Sequence, residues 1–289
     1  MNERIQRILV PVDGSPESES VFSAIMPLVR AYAPEVPVLY VVEDPEGSFL
    51  PPAHLAKACG ALRSAGVSTH LELRQGMAAD EILRAARERK ADLIAMSTHG
   101  RGGVVRMIAG SVAEEVLRKT ELPILITRPN VVVHEWKRIV VALDGSERSE
   151  SILPEAVRLA RMMNAEIEVL RVAMPTVAGG AGEAPIVMPP EDPMPYLKSV
   201  IGGLEKEGVR ARAVALEGRA AREILSHLEA SDASLLCMTT HGRTGLARIL
   251  LGSVAEEVIR HAPCPVLLRR SVPASATPAS PAKKLLKVR

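Results

Sequence analysis

The chain contains itself twice. Ile8-Leu9-Val10-Pro11-Val12-Asp13-Gly14-Ser15 returns 131 residues later as Ile139-Val140-Val141-Ala142-Leu143-Asp144-Gly145-Ser146. Thr98-His99-Gly100-Arg101 returns as Thr240-His241-Gly242-Arg243. Gly110-Ser111-Val112-Ala113-Glu114-Glu115-Val116 returns unchanged as Gly252 to Val258, both at an offset of 142. A repeat unit of this length is a whole domain, not a solenoid element that needs neighbours to fold. The 289 residues therefore divide into two similar domains. The expected boundaries are 1–129 and 137–270, with a linker at 130–136 and a tail at 271–289. The change of offset means that the second copy gained a net 11 residues between its second and third strands. Pro175 to Pro195, rich in Pro, Gly and Ala, accounts for the gain and reads as a mobile surface loop.

Each copy alternates short apolar runs with helical patterns. Ile8–Val12 and Val36–Val42 are continuous apolar runs, the mark of strands covered on both faces. Val67–Leu73, Leu93–Met96 and Ile124–Thr127 follow as further strands. Helical spacing occupies Ser18–Ala31, Ala53–Ala65, Ala79–Lys90 and Ser111–Arg118. The second copy repeats the strands near Ile139–Leu143, Ile167–Val172, Arg210–Ala215, Leu235–Met238 and Val266–Leu268. Such alternation predicts an α/β fold: two tandem Rossmann-like domains, each a five-stranded parallel sheet with helices on both faces. The last strands, Pro123-Ile124-Leu125-Ile126-Thr127 and Pro265-Val266-Leu267-Leu268-Arg269, are apolar, and an open sheet edge is a hazard unless paired.

Composition narrows the function. A net charge of +2 with 2 % aromatic residues gives neither the basic stripe nor the stacking platform of a nucleic-acid binder. No run of 18 apolar residues occurs, so no membrane span or signal segment is expected. Cys59, Cys237 and Cys264 fall at no disulfide or metal spacing, which fits a reducing, cytoplasmic setting. Ser271 to Arg289 is rich in Ala, Pro and Ser, ends in a few basic residues, and reads as a disordered, solubilising tail.

Open parallel sheets bind ligands beyond the carboxyl ends of their strands. There the first strand ends at Pro11 and Asp13, or Asp144 in the second copy. The second strand ends at Val41 or Val172. The segment after the fourth strand is the most informative. It runs Ser97-Thr98-His99-Gly100, nine residues, then Gly110-Ser111. The second copy has Thr239-Thr240-His241-Gly242, nine residues, then Gly252-Ser253. Glycines let backbone N–H groups approach an anion, and the second glycine opens a helix whose first amides favour phosphate. Arg101 and Arg243 add charge. A purely structural reading stands beside this one. Ser111-x-x-Glu114 and Ser253-x-x-Glu256 have the form of capping boxes, which need no ligand. Asp13 and Asp144 can likewise serve their own turns, and His99 and His241 suit turn-stabilising hydrogen bonds.

With the strand-1 Asp, the Thr-His-Gly-Arg turn, the nine-residue gap and the Pro before the last strand, both halves resemble the universal stress protein family, over roughly Arg4–Arg128 and Lys137–Arg270. The resemblance implies an adenine-nucleotide-binding stress-response protein with slow or no hydrolysis. ATP is the implied ligand, with AMP or ADP as alternatives and Mg as an accompanying ion. It implies that Pro11, Asp13 and Val41 hold base and ribose, with Asp144 and Val172 doing so in the second copy. Ser97, Gly100, Arg101, Gly110, Ser111 and Val112 would line the phosphates, as would Thr239, Gly242, Arg243, Gly252, Ser253 and Val254. It also implies pseudo-symmetric pairing of the halves, with the two last strands meeting near a pseudo-two-fold axis, or a homodimer. The family's nucleotide binders carry a further glycine where this chain has Ser97 and Thr239, so a side chain projects there in both copies.

Competing nucleotide motifs are missing. Asp13-Gly14-Ser15-Pro16 is not the Gly-x-Gly-x-x-Gly of a dinucleotide fold, and no Walker-A sequence occurs. No Ser-His-Asp or Cys-His arrangement falls on the turns at the cleft. The remaining alternative is a scaffold of the same fold that binds no nucleotide and recruits a partner through its surface.

Overall fold

The computed structural model describes residues 4–43, 51–98, 111–129, 131, 135–178, 186–188, 190–240 and 251–270. The first half runs β1 (Ile8–Val12), α1 (Pro16–Glu19), α2 (Val21–Tyr32), β2 (Val36–Val42), α3 (Ala53–Ser64), β3 (Thr69–Gln75), α4 (Ala78–Glu88), β4 (Leu93–Ser97), α5 (Ser111–Lys119) and β5 (Ile124–Thr127). The second runs β6 (Arg138–Ala142), α6 (Glu147–Glu150), α7 (Leu153–Met163), β7 (Glu166–Ala173), β8 (Thr176–Ala178), β9 (Ile186–Met188), α8 (Met194–Lys206), β10 (Ala211–Glu217), α9 (Ala220–Ala230), β11 (Leu235–Thr239), α10 (Ser253–His261) and β12 (Val266–Arg269).

Within each half the strands are parallel, in the order β3-β2-β1-β4-β5 and β10-β7-β6-β11-β12. The halves join through their last strands, as the sequence predicts. β5 and β12 pair antiparallel, with Val266 opposite Ile126, Leu267 opposite Leu125 and Leu268 opposite Ile124. The result is one ten-stranded sheet. Strand alternation sends the two faces into separate apolar layers. Leu125 and Leu267 belong to the layer that also holds Ile8, Val10, Ile25, Ile139 and Val141. Ile124, Ile126, Val266 and Leu268 belong to the other, with Leu9, Ile82, Val116 and Val258. Each layer draws on both halves, so the seam lies inside the core.

Several local expectations are corrected. Ser18–Ala31 is not one helix. Ser20 ends α1, its hydroxyl donating to the Glu17 carbonyl at 2.7 Å, and α2 starts afresh. The third strand begins at Thr69. Val67 is still tied to the preceding helix, its N–H donating to Leu62 O at 3.0 Å beyond Gly66, which has φ +83°. The Pro175–Pro195 segment is not simply a loop. β8 and β9 pair antiparallel within it, and α8 has already begun at Met194, where the Asp192 carboxylate accepts the Met194 N–H at 2.9 Å. Trp136, read as the end of a linker, is 1 % exposed and part of the first apolar layer. The 271–289 tail lies outside the described residues.

Candidate functional site

In each half the strand order reverses between the first and fourth strands, β1/β4 and β6/β11. Helices leave on opposite faces at such a point, so their connections part and open a cleft at the carboxyl ends of the strands. Three features surround each cleft: the turn after the first strand, the end of the second strand, and the start of the helix after the fourth.

The first turn is built alike in both halves. Asp13 Oδ1 accepts from the Ser15 N–H at 3.0 Å and from its hydroxyl at 2.7 Å. Asp144 Oδ1 accepts from Ser146 at 2.9 and 2.6 Å. Ser15 and Ser146 then cap α1 and α6, accepting the N–H groups of Ser18 at 3.1 Å and Ser149 at 3.2 Å. The turn-forming role anticipated for the two aspartates is thus realised, and it holds each carboxylate at the strand end.

Val41 and Val172 are half-buried near the ends of β2 and β7 and pack against the second apolar layer. Pro11 is buried within β1. Ser97 ends β4 half-buried, 3.4 Å from the Ser20 hydroxyl, whereas Thr239 ends β11 at 5 % exposure. Thr98 and Thr240 prolong the ladder, donating to Thr127 O at 2.9 Å and Arg269 O at 3.0 Å.

The third feature overturns the capping-box expectation for Ser253. α10 begins at Ser253 with Gly252 as its N-cap, so Ser253 is the first helical residue and not the cap. Its side chain is exposed, with Val254 half-buried behind it. α5 likewise starts on Ser111, which is exposed, followed by half-buried Val112. The Gly252 N–H is committed to Thr240 O at 2.8 Å, and Glu256 N–H bonds Gly252 O at 2.9 Å. The first-turn amides of Ser253, Val254 and Ala255 have no acceptor within the helix. They are donors placed beside the switch point. Gly100, Arg101, Gly110, Gly242, Arg243, His99 and His241 lie outside the described residues.

The structure adds residues that the motifs did not mark. In the first half, His54 Nε2 lies 2.9 Å from Gly14 O and 3.3 Å from Glu19 Oε1, against the Asp13 turn. The repeat places Tyr196 at the matching position of the second half. Burial, then the Glu150 charge beside it, pushes the Tyr196 phenol well above its usual range. Laying one copy over the other would have exposed this pair. Glu168 is wholly buried between Arg212, with Nε at 2.7 Å, and a close contact from His227. It sits toward the amino end of β7, away from the cleft. Among the described residues no group of three or more His, Cys, Asp or Glu could hold a metal.

The sequence model of the universal stress protein family matches residues 4–128 and again 135–270. Universal stress protein MJ0531 of Methanocaldococcus jannaschii is 40 % identical over 138 residues, covering 46 % of this chain and 81 % of that protein. Universal stress protein YxiE of Bacillus subtilis is 31 % identical over 147 residues, covering 47 % of this chain and 99 % of that protein. A universal stress protein structure from Archaeoglobus fulgidus superposes with a TM-score of 0.72 at 23 % identity. It covers 92 % of this chain and 98 % of that one, so the tandem fold is shared along nearly the whole length.

Proposed function

The chain belongs to the universal stress protein family, and from that premise we propose that it is a stress-response protein whose two clefts bind adenine nucleotides. The observation that carries this reading is the start of α10. A helix N-terminus stands at the switch point with Ser253, Val254 and Ala255 presenting amides, and its N-cap, Gly252, makes no side-chain cap bond. Helix dipole and free N–H groups together favour a phosphate there. Asp144 and Val172 flank the same cleft, and Asp13, Val41 and Ser111 are their counterparts in the first half. The domains are 1–129 and 137–270, and the protein acts in the cytoplasm.

ATP is the proposed ligand, with ADP and AMP as its shorter forms. The donor set suits phosphate oxygens better than a bare cation, so Mg would be carried by the phosphates with at most one carboxylate from the protein. Turnover is slow or absent. Fast phosphoryl transfer needs a positioned acceptor and strong charge compensation. The carboxylates of Asp13 and Asp144 are instead engaged in holding their own turns.

The test is calorimetric titration of the full chain with ATP, ADP and AMP, with and without Mg. Its companion variant is Ser253→Pro. Proline is accepted at the first helical position, and Gly252 is already extended with ψ 146°, so the helix survives while one amide and one hydroxyl are lost. Weakening by about tenfold at one of two sites is expected, equivalent to ~1.4 kcal/mol. No heat with any nucleotide would replace this reading with a nucleotide-free scaffold.

A further inference from the structure

Each half sets one cation and one aromatic ring beside the turn after its first strand, but the two halves exchange their places. Near the end of the second strand stands Tyr40 in the first half and Arg171 in the second. In the first turn of the next helix stands His54 in the first half and Tyr196 in the second. The Arg171 guanidinium lies over the Tyr196 ring, 5.1 Å from its centre.

The carboxylates around the turn are not exchanged. Asp13 and Glu19 return as Asp144 and Glu150. In the second half the charges of Glu150, Asp144 and Arg171 all reach the Tyr196 phenol, and a guanidinium keeps its charge throughout the physiological range. In the first half the cation is an imidazole. His54 Nε2 lies 3.3 Å from Glu19 Oε1 and 2.9 Å from Gly14 O. Glu19 Oε1 is shut off from solvent and accepts no hydrogen bond. A carboxylate oxygen in that state is costly unless a positive charge stands against it. Among the described residues, His54 is the ion-pair partner of Glu19.

An imidazole ordinarily changes charge between about pH 5 and 8. As imidazolium, His54 donates to the Gly14 carbonyl and offsets Glu19. Gly14 lies between Asp13 and Ser15, whose mutual hydrogen bonds form the turn. Once the ring is neutral, the shielded charge of Glu19 stands uncompensated behind that turn and opposes a polyanion in the cleft. Both effects run the same way: the support is present at low pH and lost as pH rises. Among the described residues, the other titratable or charged groups on the elements around His54 are Asp13, Glu17 of α1, Tyr40 of β2, and Lys57, Cys59 and Arg63 of α3. β3 turns Leu71 toward this layer, whereas its Glu72 and Arg74 bond to Arg89 and Glu88 beside α4. Carboxylates, Lys, Arg and Tyr ordinarily hold one charge state through that range, and burial keeps the Cys59 thiol neutral. His54 is the group that changes.

We propose that His54 is a positioning residue of the first cleft, which as imidazolium clamps the turn of Asp13, Gly14 and Ser15 and raises adenine-nucleotide affinity there at acid pH. The second cleft, where Arg171 is the cation, does not share this dependence. This inference rests on the nucleotide reading above.

The experiment is calorimetric titration of the full chain with ATP across that pH range. Ionisation of the nucleotide enters both sites alike, so a difference between the sites belongs to the protein. One of the two sites should weaken roughly fivefold more than the other between about pH 5.5 and 8. His54→Tyr, which installs the second half's residue, should make the two sites respond alike. In nucleotide-free protein the amide NMR signals of Gly14 and Ser15 should move with the His54 ring signals as pH changes, and should hold still over that range in His54→Tyr. Equal pH response of both sites in the wild type overturns the proposal while leaving nucleotide binding standing. So does an unequal response that survives His54→Tyr, or Gly14 and Ser15 signals that ignore the titration of His54. Absence of heat with ATP at every pH removes the nucleotide reading and this inference together.

Discussion

Leu125 of β5 and Leu267 of β12 face each other across an antiparallel pair, buried to 0 % and 1 % exposure. They are the point at which two parallel half-sheets of opposite direction become one. The seam is therefore a core contact and not a docking surface between finished domains. Leu267→Ala should cost about 2–5 kcal/mol, the range for truncating a buried Leu. The loss should appear in urea unfolding as a lower midpoint of a single transition. A variant that unfolds in two separated steps with its first half unperturbed would show that the seam does not couple the halves.

Acid should weaken the first half through Glu72. Burial works against its charge. The hydrogen bond and charge of Arg74, at 2.7 Å, and the charge and hydrogen bond of Arg89, at 3.0 Å, outweigh that and hold the carboxyl below its usual range. A carboxylate with a depressed folded pKa stabilises fully above its unfolded pKa, near 4.3. That contribution is lost as pH falls through the lower, folded value. Glu72→Gln should be destabilised by about 1.5–3 kcal/mol at neutral pH, and the gap from wild type should close on acidification. Denaturation curves at a series of pH values check this, and a gap independent of pH would count against it.

The cysteines should be silent in the native protein. Cys59, Cys237 and Cys264 are buried and free. Burial raises all three thiols, Cys264 to about 12 and Cys237 well above its usual value. At pH 8 the reactive thiolate is scarce and shielded. Ellman's reagent should label none rapidly in buffer and all three in guanidinium. Fast native labelling of Cys237 would require an opening that exposes the middle of β11.

If the clefts take nucleotide as proposed, Ser97 and Thr239 should limit its affinity, since each ends its strand with a side chain where the family's nucleotide binders carry glycine. Ser97→Gly should tighten ATP binding by about tenfold, ~1.4 kcal/mol. Thr239→Gly should act in the same direction, measured where the variant remains folded, because glycine weakens a strand. Calorimetry of both variants decides. Weaker binding after Ser97→Gly would mean that its hydroxyl is itself a phosphate donor.

Much of this was legible from residue order. A repeated apolar run ending in Asp, followed by helical spacing, fixes the strands and their parallel arrangement, because strands covered on both faces must be joined by helices. Pairing of the last strands was implied by the family resemblance, and their apolar character suited it. What escaped was local hydrogen bonding. Ser-x-x-Glu has the spacing of a capping box, yet in α10 the cap is Gly252, one residue earlier, with its N–H donating to Thr240 O. Trp136 sat between two patterns and so read as linker, although its indole lies in the core. β8 and β9 were hidden by the Pro and Gly residues around them. Arg171 was hidden for another reason: a lone cation in an apolar strand carries no motif, and only its stacking on Tyr196 gives it meaning.

The covalent joining of the halves has a genetic consequence. In a dimer of identical chains, any substitution at the end of the second strand enters both clefts at once. In this chain it enters one. Tyr40 stands near the end of that strand in one half and Arg171 in the other, and the shared seam holds both in a single folded body. Selection can thus tune one cleft for a new ligand without surrendering the old one, which a symmetric assembly cannot do.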